Sequence, residues 1–70
     1  MRLITKNTDY AVRALVFMGA NQKVFVSARQ ISEAQGIPYQ FLRRILNELI
    51  LAKLVISKEG VGGGFRLALP

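Results

Sequence analysis

Neither cysteine nor histidine occurs among the 70 residues. Their absence excludes a disulfide framework, a thiolate metal site and an iron–sulfur cluster held by the chain's own thiols. It also removes the side chains most used for nucleophilic and general acid–base chemistry. Acid is scarce: the four carboxylate side chains, Asp9, Glu33, Glu48 and Glu59, stand far apart on different expected elements. No paired-carboxylate site is legible, and a non-enzyme is expected. Long apolar runs are missing too, since the longest, Ala14 to Ala20, has seven residues with Gly19 inside it. That is too short to span a bilayer, and the opening M-R-L-I-T-K-N-T-D-Y lacks the apolar core of a signal peptide. A cytoplasmic chain is expected.

What the composition does contain is positive charge. Ten Lys and Arg against four Asp and Glu give a net charge of +6 and a pI near 10.6. Such a balance favours an anionic partner, with nucleic acid first. A membrane surface fits less well, because the basic residues are spread over several elements instead of forming one Lys-rich amphipathic helix. At this length the chain makes one domain, residues 1–70, with a small core and modest stability. No internal repeat or linker interrupts it.

The organising stretch runs from Ser27 to Leu54. Ser27 begins an S-x-x-Q capping box with Gln30, Ala28, Ile31 and Ala34 fall on one helical stripe, and Gly36 ends the helix. Ile37 is the expected buried pivot of a tight corner. Pro38 suits the first position of the next helix, where its missing N–H is not needed. In that helix Phe41, Leu42, Ile45, Leu46, Leu49 and Ala52 share one face, while Gln40, Arg43, Arg44 and Asn47 occupy the other. Charge on an exposed stripe is ordinary when taken alone. After a helix and a tight turn, two guanidiniums and two amides make a surface suited to phosphates and base edges. Glu48 is expected to pair with Arg44, although this order along a helix is the weaker one.

Ahead of this unit, Leu3 and Ile4 can tuck inward while Arg2 and Lys6 stay in solvent. Asn7 or Thr8 can cap a helix running to about Met18 or Gly19, with Asp9 in its first turn. This helix is apolar nearly all round: Tyr10, Ala11, Val12, Ala14, Leu15, Val16, Phe17 and Met18 leave only Asp9 and Arg13 as a polar sector. A helix of that kind is covered on more than one side. Val12, Leu15, Val16 and Phe17 cannot all face so small a core, and a surface left for another chain is expected. Gly19 to Lys23 reads as a turn, and Val24, Phe25 and Val26 as a brief β-prone run. Behind the central unit, Leu54 to Lys58, the glycine-rich Glu59 to Gly64 and the alternating Phe65, Leu67 and Leu69 form a β-hairpin with a flexible tip. The fold class is mainly α with a small hairpin: a winged helix-turn-helix of three helices and a two- or three-stranded wing sheet. The glycines do not make a phosphate loop, because G-x-x-x-x-G-K-[ST] is absent and a strand follows them.

With these parts placed, the whole chain resembles the N-terminal DNA-binding domain of the Rrf-two-type (IscR/NsrR/CymR) bacterial transcription regulators. The resemblance rests on M-R-L-I-T-K with Tyr10-Ala11-Val12-Arg13-Ala14, on Ile31-Ser32-Glu33, Gly36-Ile37 and Phe41-Leu42, on Leu46 to Leu54, and on Gly62-Gly63-Gly64-Phe65-Arg66-Leu67. The glycine triplet followed by an aromatic is its most specific part. It implies a dimeric repressor or activator, repression being expected, whose recognition helix enters the major groove of double-stranded DNA and whose wing touches the flanking minor groove. The residues expected to meet DNA are Arg2, Ser27, Arg29, Pro38, Tyr39, Gln40, Arg43, Arg44, Asn47, Lys58, Gly60, Gly62 and Gly63. The chain departs from the family's usual pattern in two places. Glu59-Gly60-Val61 stands where Arg-Gly-Pro is common, removing a minor-groove arginine, and Pro38 replaces a frequent Ser. The resemblance also implies a dimerisation helix and, in metal-sensing members, an iron–sulfur cysteine cluster beyond residue 70. No cofactor is therefore expected in this chain, which reads as a domain fragment or a short regulator. The rival class is a winged-helix protein-interaction module whose working surface is the apolar first helix.

Overall fold

A computed structural model describes residues 6–68. Three helices, α1 (Lys6–Ala20), α2 (Ala28–Gln35) and α3 (Tyr39–Leu51), precede two strands, β1 (Val55–Lys58) and β2 (Gly64–Leu67). Arg2, Leu3, Ile4 and Leu69, to which the sequence assigned roles, lie outside the described residues.

The corner between α2 and α3 is built from local chemistry. Ser27 Oγ accepts from the Gln30 N–H at 3.0 Å, and Gln30 Oε1 accepts from the Ser27 N–H at 2.8 Å, which completes the capping box. At the other end Gly36 sits in the left-handed region at φ 63°, a conformation that a Cβ disfavours. The N–H groups of Gly36 and Ile37 both turn back onto the Ser32 carbonyl, and Ser32 Oγ donates to the Ile37 carbonyl. These bonds satisfy backbone groups that the helix end would leave open. Ile37 is thereby pressed into the core, where it is buried. Pro38 is the cap of α3 and not its first residue, being extended at ψ 132°, as a residue just outside a helix must be.

Around this corner the core gathers Ala14 and Met18 of α1, Ala28 and Ile31 of α2, Leu42, Ile45, Leu46 and Leu49 of α3, and Val26 and Val55. α1 packs on α2, α3 and β2 at once. Two residues assigned inward do not reach the core: Ala34 and Ala52 are exposed. Ala52 already belongs to the helix stop, where Lys53 takes φ 63° and the Lys53 and Leu54 N–H groups return to the Ile50 and Leu49 carbonyls. That stop turns the chain out of the helical spiral before Ala52 can face inward. α1 begins by Lys6, so Asn7 and Thr8 lie within it and neither is its cap. Its greasy circumference divides as the small core requires. Leu15 and Phe17 pack against the core, whereas Val12 and Val16, one turn apart on the opposite side, remain 52% and 65% exposed.

Arg13 ties α1 to the corner. It pairs with Asp9 at 3.3 Å and donates from Nη1 to the Gln35 carbonyl, the last residue of α2, at 2.7 Å. A cation at a helix C-terminus is placed where the backbone dipole favours it.

The wing is an antiparallel pair in register Val55↔Leu67, Ile56↔Arg66, Ser57↔Phe65 and Lys58↔Gly64. Of the β-prone run Val24 to Val26, only Val26 joins, through one bridge to Phe65 with bonds of 2.9 and 2.7 Å. A full third strand has no room, because Val24 still donates into the preceding turn and Ser27 already caps α2. Gly64 makes the bridge possible. Its φ is 141°, and a Cβ there would stand 2.4 Å from the Val26 carbonyl oxygen. Replacing Gly64 with Ala should therefore break the bridge and cost about 3 kcal/mol or more, whereas Gly60→Ala, strained in φ alone, should cost about 1–2 kcal/mol. Urea titrations of the two variants check this; equal losses would show that the Val26 contact is unimportant.

Candidate nucleic-acid interface

The outward face of α3 carries Gln40, Arg43, Arg44 and Asn47, all exposed. The single salt bridge among the described residues joins Asp9 to Arg13, so neither α3 arginine is neutralised by a carboxylate. The expected Arg44–Glu48 pair does not form. Arg44 instead lies over the Phe41 ring at 5.4 Å, turning toward the N-terminal end of α3. The ring attracts a cation without removing its charge, and the weak Arg-before-Glu order gives little to compete with it.

Arg43 behaves similarly. Its guanidinium is 5.8 Å from the Tyr39 ring centre, and Nη1 donates to the Tyr39 hydroxyl at 3.1 Å. Arg29, from the first turn of α2, lies over the same ring at 4.9 Å. Three residues expected to meet DNA are thus joined across the corner. Ser27 stands at the same edge of α2 with its oxygen engaged in the cap, and Pro38 is exposed between the helices.

In the wing, Gly60 and Gly62 adopt φ of 92° and 77°, and the Gly63 N–H donates to the Gly60 carbonyl at 3.0 Å. The tip is a closed turn whose Gly63 amide is already used. A Cβ at Gly63 would lie 2.3 Å from the Lys58 carbonyl oxygen, so this glycine is needed for closure. Lys58 does not extend toward the tip: it sits 5.5 Å from the Phe25 ring, which also receives Arg66 at 4.4 Å. Arg66 is a basic residue of the wing that the sequence reading left without a role. In the observed register Arg66 stands opposite Ile56, two residues before Lys58, and strand alternation puts the two cations on one face. At the tip Val61 is fully exposed, two residues after the exposed acid Glu59.

The Rrf2 family model, described as an iron-dependent transcriptional regulator, matches residues 4–70. The chain belongs to the Rrf2 family. It is 35% identical over 68 residues to the HTH-type transcriptional regulator NsrR of Oceanobacillus iheyensis, a match covering 96% of this chain and 46% of that protein. The structure of IscR from T. potens superposes with a TM-score of 0.91 at 29% identity, over 97% of this chain and 50% of that one. CymR, the global cysteine regulator of B. subtilis, shares the fold with a TM-score of 0.91 at 21% identity, over 99% of this chain and 54% of that one. These likenesses make the hairpin the wing of a winged helix-turn-helix and place the chain in a family of regulators, not enzymes. The chain spans about half the length of the relatives it matches.

The family description names iron, but the residues present do not fit an iron site. There is no Cys or His, and no group of carboxylates converges among the described residues. The described helices are likewise not long and apolar enough to cross a membrane.

Glu59→Arg restores a cation at the tip, so binding to duplex DNA at low salt should tighten and the salt dependence should steepen by about one phosphate contact. Fluorescence anisotropy across a salt series measures both. A fall in affinity would mean that Glu59 itself makes a favourable contact, for instance with a cytosine amino group.

Proposed function

We propose that this chain is the DNA-reading domain of a bacterial transcription regulator that binds double-stranded DNA sequence-specifically in the cytoplasm and acts by repression. The observation that carries this reading is the unneutralised outer face of α3. Gln40, Arg43, Arg44 and Asn47 stand free of any carboxylate at the one helix that a winged helix-turn-helix offers to the major groove.

In this reading α3 enters the major groove, where an Arg fork matches guanine and a Gln or Asn amide matches adenine. Arg43, held toward the helix N-terminus, reads a base; Arg44, stacked on Phe41, clamps a phosphate. Ser27 and Arg29 at the start of α2 meet the adjacent backbone, joined by Arg2. The wing approaches the minor groove with Lys58 and the glycine turn at Gly60, Gly62 and Gly63. The exposed Val12 and Val16 face of α1 supports a homodimer in the full-length protein, since two domains at fixed spacing give the two half-sites that one domain lacks. That use of the surface is favoured over the rival interaction module, which leaves the basic face of α3 without a role. The domain alone should bind near the non-specific range of ~10⁻⁴ to 10⁻⁶ M. No ligand or metal takes part in binding by these 70 residues.

Selection of bound sites from random duplexes, followed by titration of the best site against random DNA, tests the assignment. Arg43→Ala should cost about 1–3 kcal/mol at the preferred site and relax one base position. Arg44→Ala should weaken all duplexes alike and flatten the salt slope by about 1 unit. Equal losses on preferred and random DNA for both variants would contradict these roles, and salt-independent or undetectable binding would contradict the function.

A further inference from the structure

Arg29 and Arg43, from two different helices, lie on one aromatic ring, that of Tyr39. Arg29 has Glu33 one turn away on its own helix, the ordinary partner for an exposed arginine, yet it makes no ion pair with it and lies over Tyr39 of the next helix. Arg43 is one turn after Tyr39 and bonds its hydroxyl. Two like charges from two helices are therefore gathered at one half-buried side chain with no acid paired to either. Holding them together is electrostatically unfavourable in the free protein and becomes favourable once an anion arrives.

We propose that Tyr39 is the positioning residue of the DNA-reading face: its ring seats Arg29, its hydroxyl holds Arg43, and sequence discrimination by Arg43 depends on that hydroxyl. This rests on the DNA-binding reading above and deepens it. An arginine on a free helix surface samples many rotamers and must be ordered when it meets a base. One that is stacked and hydrogen-bonded beforehand loses less freedom on binding, and it presents its fork in one direction. The hydroxyl, while accepting from Arg43, keeps its own proton to donate. The two contacts divide the work. The ring serves Arg29, whose position in the first turn of α2 suits backbone contact. The hydroxyl serves Arg43, whose guanidinium lies farther from the ring centre, at 5.8 Å against 4.9 Å, and whose position on the outer face of α3 suits a base edge.

The division makes the proposal separable by substitution. Tyr39→Phe keeps the ring and removes only the hydroxyl, while Tyr39→Leu removes both. The 70-residue chain, these two variants and Arg43→Ala are each taken through repeated rounds of selection from a random duplex pool, with sequencing after each round. Arg43→Ala defines the base position that Arg43 reads. Tyr39→Phe should lower the preference at that same position about tenfold, a larger loss than it causes in affinity for random duplex. Tyr39→Leu should lose the same preference and also bind random duplex more weakly, because Arg29 loses its seat. In the free protein the Arg29 Nε–H resonance, displaced by the ring current, should keep its position in Tyr39→Phe and lose it in Tyr39→Leu, whereas that of Arg43 should move in both. A purely structural tyrosine would show itself as a lower melting temperature with the base preference intact. Full preference at the Arg43 position in Tyr39→Phe overturns the positioning role and leaves DNA reading standing. Failure of the unaltered chain to bind any duplex overturns the DNA reading and this proposal with it, whereas duplex binding without enrichment of any sequence overturns this proposal alone.

Discussion

The structure depends on the left-handed turn at Gly36. That one residue reverses the backbone, directs the Gly36 and Ile37 amides onto the Ser32 carbonyl and drives Ile37 into the core. The direction in which α3 leaves the corner follows from it. Leu42, Ile45, Leu46 and Leu49 then meet Ala14 and Met18 of α1, and the remaining face of α3 has nowhere to go but outward. A side chain at residue 36 would meet no steric obstacle beyond its own backbone, since open space surrounds the position. The constraint is conformational, and its consequences reach from the corner to the interface.

A second regularity explains why that interface stays charged. The chain's acids are few, and Asp9 is already engaged with Arg13, which in turn closes the end of α2. Five other cations lie over rings instead: Arg29 and Arg43 over Tyr39, Arg44 over Phe41, and Lys58 and Arg66 over Phe25. An aromatic face orders a long cationic side chain without cancelling its charge, which a carboxylate partner would do. Order and charge are both needed where a flexible arginine must meet a phosphate or a base edge. The wing follows the same rule with a different balance, because its cations are drawn back to Phe25 while its tip carries Val61 and Glu59.

Features set by neighbouring residues were legible in the sequence. The Ser27–Gln30 box, the stop at Gly36, the buried Ile37, the two faces of α3 and the hairpin all follow from spacing and side-chain chemistry over a few residues. The surplus apolar surface of α1 was legible as well, because counting apolar side chains against the size of the core requires some of them to stay outside. What was not legible needs contacts between distant parts of the chain. Arg13 reaches Gln35 22 residues away, Phe25 gathers cations from both wing strands, and Gly64 is needed because Val26 passes beside it. The placement of Arg44 was misread for a subtler reason: helical spacing offered both Phe41 and Glu48, and the ring prevailed over the carboxylate. Within the candidate site, the outward placement of Gln40, Arg43, Arg44 and Asn47 was therefore readable, and the grouping of Arg29 and Arg43 around Tyr39 was not.

The central claim is that the working surface is the α2 start, the outer face of α3 and the wing, and not the apolar side of α1. Titrating a short duplex into the ¹⁵N-labelled chain and following its backbone amides tests this most directly. The account predicts perturbations at residues 27–30, 39–47 and 58–63 that diminish as salt is raised, with Val12 and Val16 unmoved. Perturbations confined to the Val12 and Val16 side of α1, or a spectrum that duplex DNA leaves unchanged at low salt, would contradict it.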